Sequence, residues 1–170
     1  MNKRQRWKIG SVVKIPLDND YWSYAILHNL PDVSFLNIFT NQELQIENIQ
    51  QANALFNVGV SEYIVKTGDW PIVGSIDLDS NFTTEEPMRF VQDGISGELF
   101  LYHSQFADQG YMKSCGIEDI DGLEKAAAWD RDHIKDRLQA QFTGSVDRWA
   151  ETMKVDKEAY ARFKRRKLDG

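Results

Sequence analysis

The stretch from Ser11 to His28 constrains the fold more than any other part of the sequence. Two runs rich in Val, Ile, Tyr and Trp, 11–17 and 21–28, are separated by the polar residues Asp18-Asn19-Asp20. Because β-branched and aromatic residues favour strands and a short polar break favours a turn, this pattern predicts a β-hairpin. Apolar residues occupy both faces of the second run, so we expect that strand to be covered on both sides. It should therefore lie inside a sheet.

Further strand-like runs follow the hairpin. Gly59 inside one of them indicates a bulge or a close backbone approach. Because proline cannot donate a ladder hydrogen bond, the segment with Pro71 should lie at a sheet edge or wrap over the core with Trp70 as its anchor. An acidic, turn-rich stretch over 77–86 predicts a long surface loop. The runs predicted as strands are 33–39, 56–66, 70–74, 88–92 and 98–102, the last two forming a second hairpin.

The last third of the chain changes to helical spacing. Asp121 followed by Glu124 has the spacing of a capping box and predicts a helix over 123–141. Two shorter helices are predicted after it, capped by Ser145 and Asp156, with Val146 among the inward residues. Strands followed by helices are typical of an α+β fold, with a twisted, mostly antiparallel sheet from the N-terminal two thirds and C-terminal helices packed on it.

The net charge of −6 is unevenly distributed. Residues 1–8 hold four cations and no acid, and residues 154–170 hold seven cations against three acids, which leaves −14 for 9–153. Such an acidic body attracts basic partners and repels nucleic acid, although solubility is an equally good explanation of the charge. The N-terminus lacks the apolar core of a signal peptide and Cys115 is the single cysteine, so we expect a soluble, cytoplasmic protein.

The predicted helix over 123–141 carries the most suggestive polar residues. At about 100° per residue, Asp130 falls inside the apolar stripe, Arg137 lies on the same face, and His133 lies at its flank. A buried acid is costly unless it is paired, so the favoured interpretation is a structural network in which Asp130 pairs with Arg137 or His133. The alternative is a small hydrolase or transferase that uses Asp130, His133 and Cys115.

No metal site or cofactor is predicted. The three histidines, His28, His103 and His133, are scattered, and the sequence contains no glycine-rich phosphate loop. The basic tail over 162–167 gives another alternative, a nucleic-acid adaptor, because clustered cations release counterions from phosphates. The acidic body opposes that interpretation.

Carboxylates and aromatic rings occur together in two predicted loops, the tip of the first hairpin and the loop over 77–86. Such residues can present a binding surface to a basic protein, whereas solvated loop charge is the alternative. The residues predicted to bind a partner are Asp18, Asp20, Tyr21, Trp22, Asp77, Asp79, Glu85 and Glu86.

Several short motifs occur in an order and spacing that point to one family. They are residues 9–17, 21–27, 56–60, 70–74, 88–92 and 122–124, followed by Trp129, His133, Ile134, Arg137 and Leu138. Together they resemble the immunity protein 26 family of bacterial polymorphic toxin systems. The resemblance implies a non-enzymatic protein that binds a toxin domain and keeps it inactive, but it does not name the toxin. The acidic body is suited to covering a basic active site, such as that of a nuclease. The resemblance also implies one immunity-type domain over 1–170, with 142–170 as a helical C-terminal extension.

Overall fold

The computed structural model describes residues 4–78, 82 and 85–169. Contacts within the chain group these residues into two compact units. The first unit comprises the residues up to Glu85 together with Ala127–Trp149, and the second comprises Glu86–Ala126 together with the residues from Ala150 onward. The single domain with an extension over 142–170 stays a prediction.

Nine strands and five α-helices are found in the described part of the chain. The strands are β1 (Ser11–Pro16), β2 (Trp22–Leu27), β3 (Asp32–Leu36), β4 (Ala54–Val60), β5 (Ile72–Ser75), β6 (Arg89–Gln92), β7 (Leu99–Tyr102), β8 (Met112–Ser114) and β9 (Ala128–Trp129). The α-helices are α1 (Ile46–Gln50), α2 (Glu62–Lys66), α3 (Arg131–Thr143), α4 (Arg148–Thr152) and α5 (Lys157–Leu168), and 3₁₀ helices span Ser104–Gln109 and Ile117–Ile120. The predicted α+β class is confirmed.

The first unit is built on a six-stranded sheet in the order β5-β1-β2-β3-β4-β9. Its strand pairs are antiparallel except for β4 and β9. The predicted hairpin is confirmed, since β1 pairs with β2 and Val13 lies opposite Ala25. As predicted, β2 lies inside the sheet, and five of its six residues are buried. Asn19 and Asp20 at the turn have φ angles of 57° and 58°, a conformation that Asn and Asp tolerate better than most residues.

The predictions for the later strands of this sheet are partly confirmed. A Cβ on Gly59 would lie 3.2 Å from Pro31 Cγ, which is the close approach expected there. β5 lies at the edge, as Pro71 indicated. The predicted strand over 56–66 is wrong beyond Val60, because the Ser61 hydroxyl accepts a hydrogen bond from Tyr63 N and caps α2.

The predicted helix over 123–141 is wrong in its first half. Residues before Asp130 pair with strands instead: Phe90 N donates to Glu124 O at 3.1 Å, and β9 pairs with β4. These tertiary hydrogen bonds satisfy the backbone in place of helical ones. α3 begins where the Asp130 carboxylate accepts bonds from Asp132 N and His133 N, both at 2.9 Å. Asp130, and not Asp121, is therefore the N-cap of this helix.

The second unit contains the three-stranded antiparallel sheet β6-β7-β8. The predicted second hairpin is confirmed by the pairing of β6 with β7. Asp156 caps α5 as predicted, since its side chain accepts a bond from Ala159 N at 2.9 Å. Phe90, Leu99 and Ile120 form the buried core of this unit.

Two predictions about the segment before α4 are wrong. α4 begins at Arg148, three residues beyond the predicted cap Ser145. Val146, predicted to point inward, is 79% exposed. The chain here leaves α3 through Gly144, whose φ of 68° ends the helix, and residues 145–147 lie outside regular secondary structure before α4. Among the described residues, each helix is too short or too polar to span a membrane.

Candidate functional site

The tip of the first hairpin meets the end of α3 and a residue that follows β3. The ring of Phe142 lies 4.9 Å from that of Tyr21 and 5.1 Å from that of Phe39, measured between centroids. The Phe39 and Phe142 rings are stacked at 21°, whereas Tyr21 is tilted by 39°. We call Asp18, Asp20, Tyr21, Phe39 and Phe142 the tip surface. Its aromatic part comes from three segments that are far apart in sequence.

One face of α3 holds the hairpin tip in place. Lys135 Nζ lies 2.6 Å from Asp18 Oδ1, and Asp18 N donates to Gln139 Oε1 at 3.4 Å. Residues 135, 139 and 142 follow the i, i+4, i+7 spacing that places side chains on one face of a helix. The exposed turn is therefore tied to a helix at several points, which limits the conformational entropy that it would lose on binding.

The tip surface exposes both rings and carboxylates. Phe142 is 37% exposed, and Tyr21 and Phe39 are half-buried. The Asp18 side chain is 58% exposed and Asp20 is exposed. Among the described residues, Asp20 has no ion-pair partner, so its charge faces solvent. Partly exposed rings bordered by charged groups are typical of the anchors and rim of a protein interface.

Trp22 is held differently from its neighbour Tyr21. Its indole N–H donates to the Tyr24 hydroxyl at 2.9 Å. The Lys14 ammonium lies 3.5 Å from the centroid of the ring and also pairs with Glu43 at 2.5 Å. These contacts engage the polar atom of Trp22 and one face of its ring within the protein. Its predicted role in partner binding stays a prediction.

The residues predicted to bind a partner from the loop over 77–86 do not all lie in one unit. Asp77 and Glu85 are exposed and belong to the first unit, whereas Asp79 lies outside the described residues. Glu86 belongs to the second unit, where it accepts a hydrogen bond from Ser104 N at 3.1 Å. Partial burial raises the pKa of Glu86, but the bonds from Ser104 outweigh it and leave the pKa below its usual value.

Of the two predicted partners of Asp130, the structure places His133 beside it, whereas Arg137 pairs with Asp147. Asp130 is an exposed N-cap and lies 3.4 Å from His133 Nδ1. Arg137 is buried, its Nε lies 3.2 Å from Asp147 Oδ2, and its guanidinium lies 3.8 Å from the ring centroid of Phe56. Asp147 was missed because it follows the helix, where no periodicity could indicate that it folds back towards Arg137.

His133 has aromatic and acidic neighbours in the first unit. Its ring centroid lies 3.8 Å from that of Trp149. Trp149 Nε1 and Arg148 Nη2 each donate to Asp136 Oδ2 at 2.9 Å. These hydrogen bonds, with that of Trp149 the strongest influence, lower the pKa of Asp136. The group thus joins α3 to α4 through contacts that stabilise the ionised carboxylate.

The residues of the predicted hydrolase alternative are divided between the units. Asp130 and His133 belong to the first unit and Cys115 to the second. Burial, followed by the charge of Asp119, raises the pKa of the Cys115 thiol. Activated cysteines have lowered pKa values, so the surroundings of Cys115 oppose a nucleophilic role. Within the described ranges, no group of three or more His, Cys, Asp or Glu side chains is arranged to hold a metal ion.

The α+β fold presents partly exposed rings beside solvent-facing carboxylates. Such a surface is typical of proteins that bind another protein. Residues 8–101 match the family model described as Immunity protein 26. Because this match covers more than half of the 170 residues, the chain belongs to the Immunity protein 26 family. No curated protein and no solved structure matches the chain. Membership supports an immunity function, which implies binding to a cognate toxin protein as a non-enzymatic inhibitor.

Proposed function

We propose that this protein neutralises its cognate toxin domain by binding it directly, one to one, and covering its active site. The observation that carries the proposal is the tip surface, in which the Phe142 ring contacts both Tyr21 and Phe39 beside exposed carboxylates. Rings of this kind supply large contact areas at a small entropic cost, and interfaces depend on a few such anchors. Within the first unit, the proposed toxin-facing surface also includes Trp22, Asp77 and Glu85. The roles of Asp79 and Glu86 in partner binding stay predictions from the sequence.

Charge favours a basic toxin surface, such as the active site of a nuclease. The −14 carried by residues 9–153 draws a cationic partner from a distance, and Asp18 and Asp20 provide carboxylates at the tip. A nuclease collects cations where it binds phosphates, so carboxylates placed there would occupy the position of the substrate's negative charges. The protein would act in the cytoplasm, where it protects the cell that produces the toxin.

The test is complex formation with the toxin domain encoded beside this gene. We expect the two purified proteins to elute together as a one-to-one complex, and we expect expression of the immunity protein to rescue growth of cells that produce the toxin. Phe142→Asp should abolish both effects, because it places a charge among the rings. Tyr63→Asp is the matched control, since Tyr63 is an exposed aromatic residue of α2 in the same unit.

The outcomes distinguish a failure of direct inhibition from a failure of the tip surface as the interface. Absence of a complex at micromolar concentration would contradict direct inhibition. If Phe142→Asp binds the toxin as well as Tyr63→Asp does, direct inhibition is still supported, but the tip surface is not part of the interface. Circular dichroism of each variant establishes that the fold is retained.

A further inference from the structure

The C-terminal half of α5 carries a dense group of cations that the proposed function does not use. Five of the six residues in 162–167 are Lys or Arg and none is acidic. Arg162, Arg165 and Arg166 follow the i, i+3, i+4 spacing of neighbours on one helical face. They line an open groove of about 400 Å³ together with Ile95 and Asp169. We call these three arginines the arginine face.

Lys164 and Lys167 lie elsewhere on the helix. They line a different groove, which also includes the acidic residues Glu118 and Asp119. Opposite charges are therefore available to the two lysines. Among the described residues that line the groove of the arginine face, Asp169 is the single acidic one. The positive charge of that groove is thus only partly balanced.

The arginine face is held on a rigid support. Arg166 Nη2 donates to Ser96 O at 2.5 Å, which joins the helix to the turn between β6 and β7. A Cβ on Gly97 would clash with Ala159 O, so the turn and the helix are in direct backbone contact. At the start of α5, Asp156 N donates to Gln92 Oε1 at 2.7 Å. Both ends of the helix are therefore fixed to the same hairpin.

A purely structural role does not account for all three arginines. Cations in the last turn of a helix complement its dipole, but this effect fades within one turn. Arg162 lies six residues before the last helical residue, Leu168, and is thus outside that turn. Its nearest acidic partner is Glu158, at 4.0 Å, in an exposed pair that contributes little to stability. Among the described residues, Arg165 has no ion-pair partner.

We propose that the arginine face binds the phosphate backbone of a nucleic acid. Guanidinium groups present several donors in a fixed plane and bind phosphate oxygens in pairs, which an ammonium group cannot do. A polynucleotide offers regularly spaced phosphates whatever its base sequence, whereas an acidic peptide would need carboxylates at suitable intervals. Ile95, which is 94% exposed beside the arginines, gives an apolar contact for a sugar or base.

The acidic body weakens this binding without preventing it. At physiological ionic strength, charges farther away than about 8 Å are largely screened, so contact depends on the local charges of the groove. The body charge of −14 still lowers the rate of encounter with a polyanion. The binding is therefore weak, independent of sequence, and strongly dependent on salt.

Fluorescence anisotropy of a labelled 20-base-pair DNA duplex and a labelled 20-nucleotide RNA, titrated with the full chain, tests the proposal. If about three phosphates are neutralised, the affinity for the duplex should fall roughly 40-fold between 50 and 200 mM salt. Arg162→Glu with Arg165→Glu should weaken binding at 50 mM salt by at least 20-fold. This pair leaves the bond from Arg166 to Ser96 in place, and circular dichroism verifies the fold.

Matched variants decide whether the arginine face or the net charge of the protein is responsible for oligonucleotide binding. Lys154→Glu with Lys157→Glu changes the net charge by the same amount at exposed positions outside the groove, and should change affinity less than threefold. Arg162→Lys with Arg165→Lys should retain the salt dependence and weaken binding a few-fold. The proposal is overturned if Lys154→Glu with Lys157→Glu loses as much affinity as Arg162→Glu with Arg165→Glu. It is also overturned if the unaltered protein does not bind at 50 mM salt, or if polyglutamate displaces the oligonucleotide at equal charge concentration.

Discussion

The tip surface and the arginine face are opposite in charge and differ in construction. Tyr21, Phe39 and Phe142 meet from a turn, a loop and a helix end, and the carboxylates lie beside them. The three arginines come from less than two turns of one helix. Contacts between rings depend on apolar area and are insensitive to salt, whereas guanidinium contacts to an anion weaken as salt rises. The two surfaces should therefore be separable by mutation and by ionic strength.

The largest effect should come from removing Arg137, the buried cation of α3. Arg137→Ala removes the ion pair with Asp147, whose side chain is mostly buried, and the stacking on Phe56 and Trp129. We expect a loss of about 3–5 kcal/mol in the free energy of unfolding, measured by urea denaturation. Arg148→Ala is the control, since its pair with Asp136 is exposed and should cost less than about 1 kcal/mol. An equal loss in both variants would show that burial does not determine the effect.

A large effect on affinity, with little effect on stability, is expected from Phe142→Ala. The substitution removes the ring that contacts both Tyr21 and Phe39, so binding to the toxin should weaken by about 2–3 kcal/mol. Isothermal titration calorimetry at 50 and 300 mM salt should give the same loss, because the contact is apolar. Tyr63→Ala should bind like the unaltered protein. A loss that disappears at high salt would contradict the assignment of the rings as anchors.

A smaller effect should follow from neutralising the carboxylates of the tip. With Asp18→Asn and Asp20→Asn, we expect the association rate with the toxin to fall several-fold at low salt while the dissociation rate changes less. Stopped-flow fluorescence separates the two rates. The control is the pair Asp108→Asn with Asp121→Asn, which removes the same number of charges from exposed residues of the other unit. If both pairs lower the rate equally, net charge alone directs the encounter.

The smallest effect should be on the pH dependence of stability. The pKa of Asp136 is lowered from its ordinary 3.8 by the bonds from Trp149 and Arg148. A lowered folded-state pKa contributes stability above the unfolded-state value and loses it as the pH falls through the folded-state value, that is, below about pH 4. Asp136→Asn should remove this part of the acid-induced loss. Urea midpoints at pH 7 and pH 3 measure it, and an unchanged difference would contradict the prediction.

Features that depend on residues close together in the sequence were predictable from the sequence. The two hairpins follow from alternating composition and turn residues, and the cap at Asp156 from its position before an amphipathic run. The start of α3 was not predictable, because residues 124–129 have helical spacing but pair their backbones with β6 and β4. For the same reason Asp18 and Tyr21 could be proposed as contacts, whereas Phe39 and Phe142 could not. Their proximity exists only once α3 lies against the hairpin tip.

The family match ends at Leu101, so Phe142 is supplied by sequence beyond the matched region. The tip surface thus combines residues from the matched region with a residue that follows it, and the two parts can change independently in evolution. Under the proposed function, substitutions at the end of α3 would alter which toxin is recognised without changing the strands that form the hairpin. A lineage facing new toxins thus has a small number of positions on which selection can act without endangering the architecture.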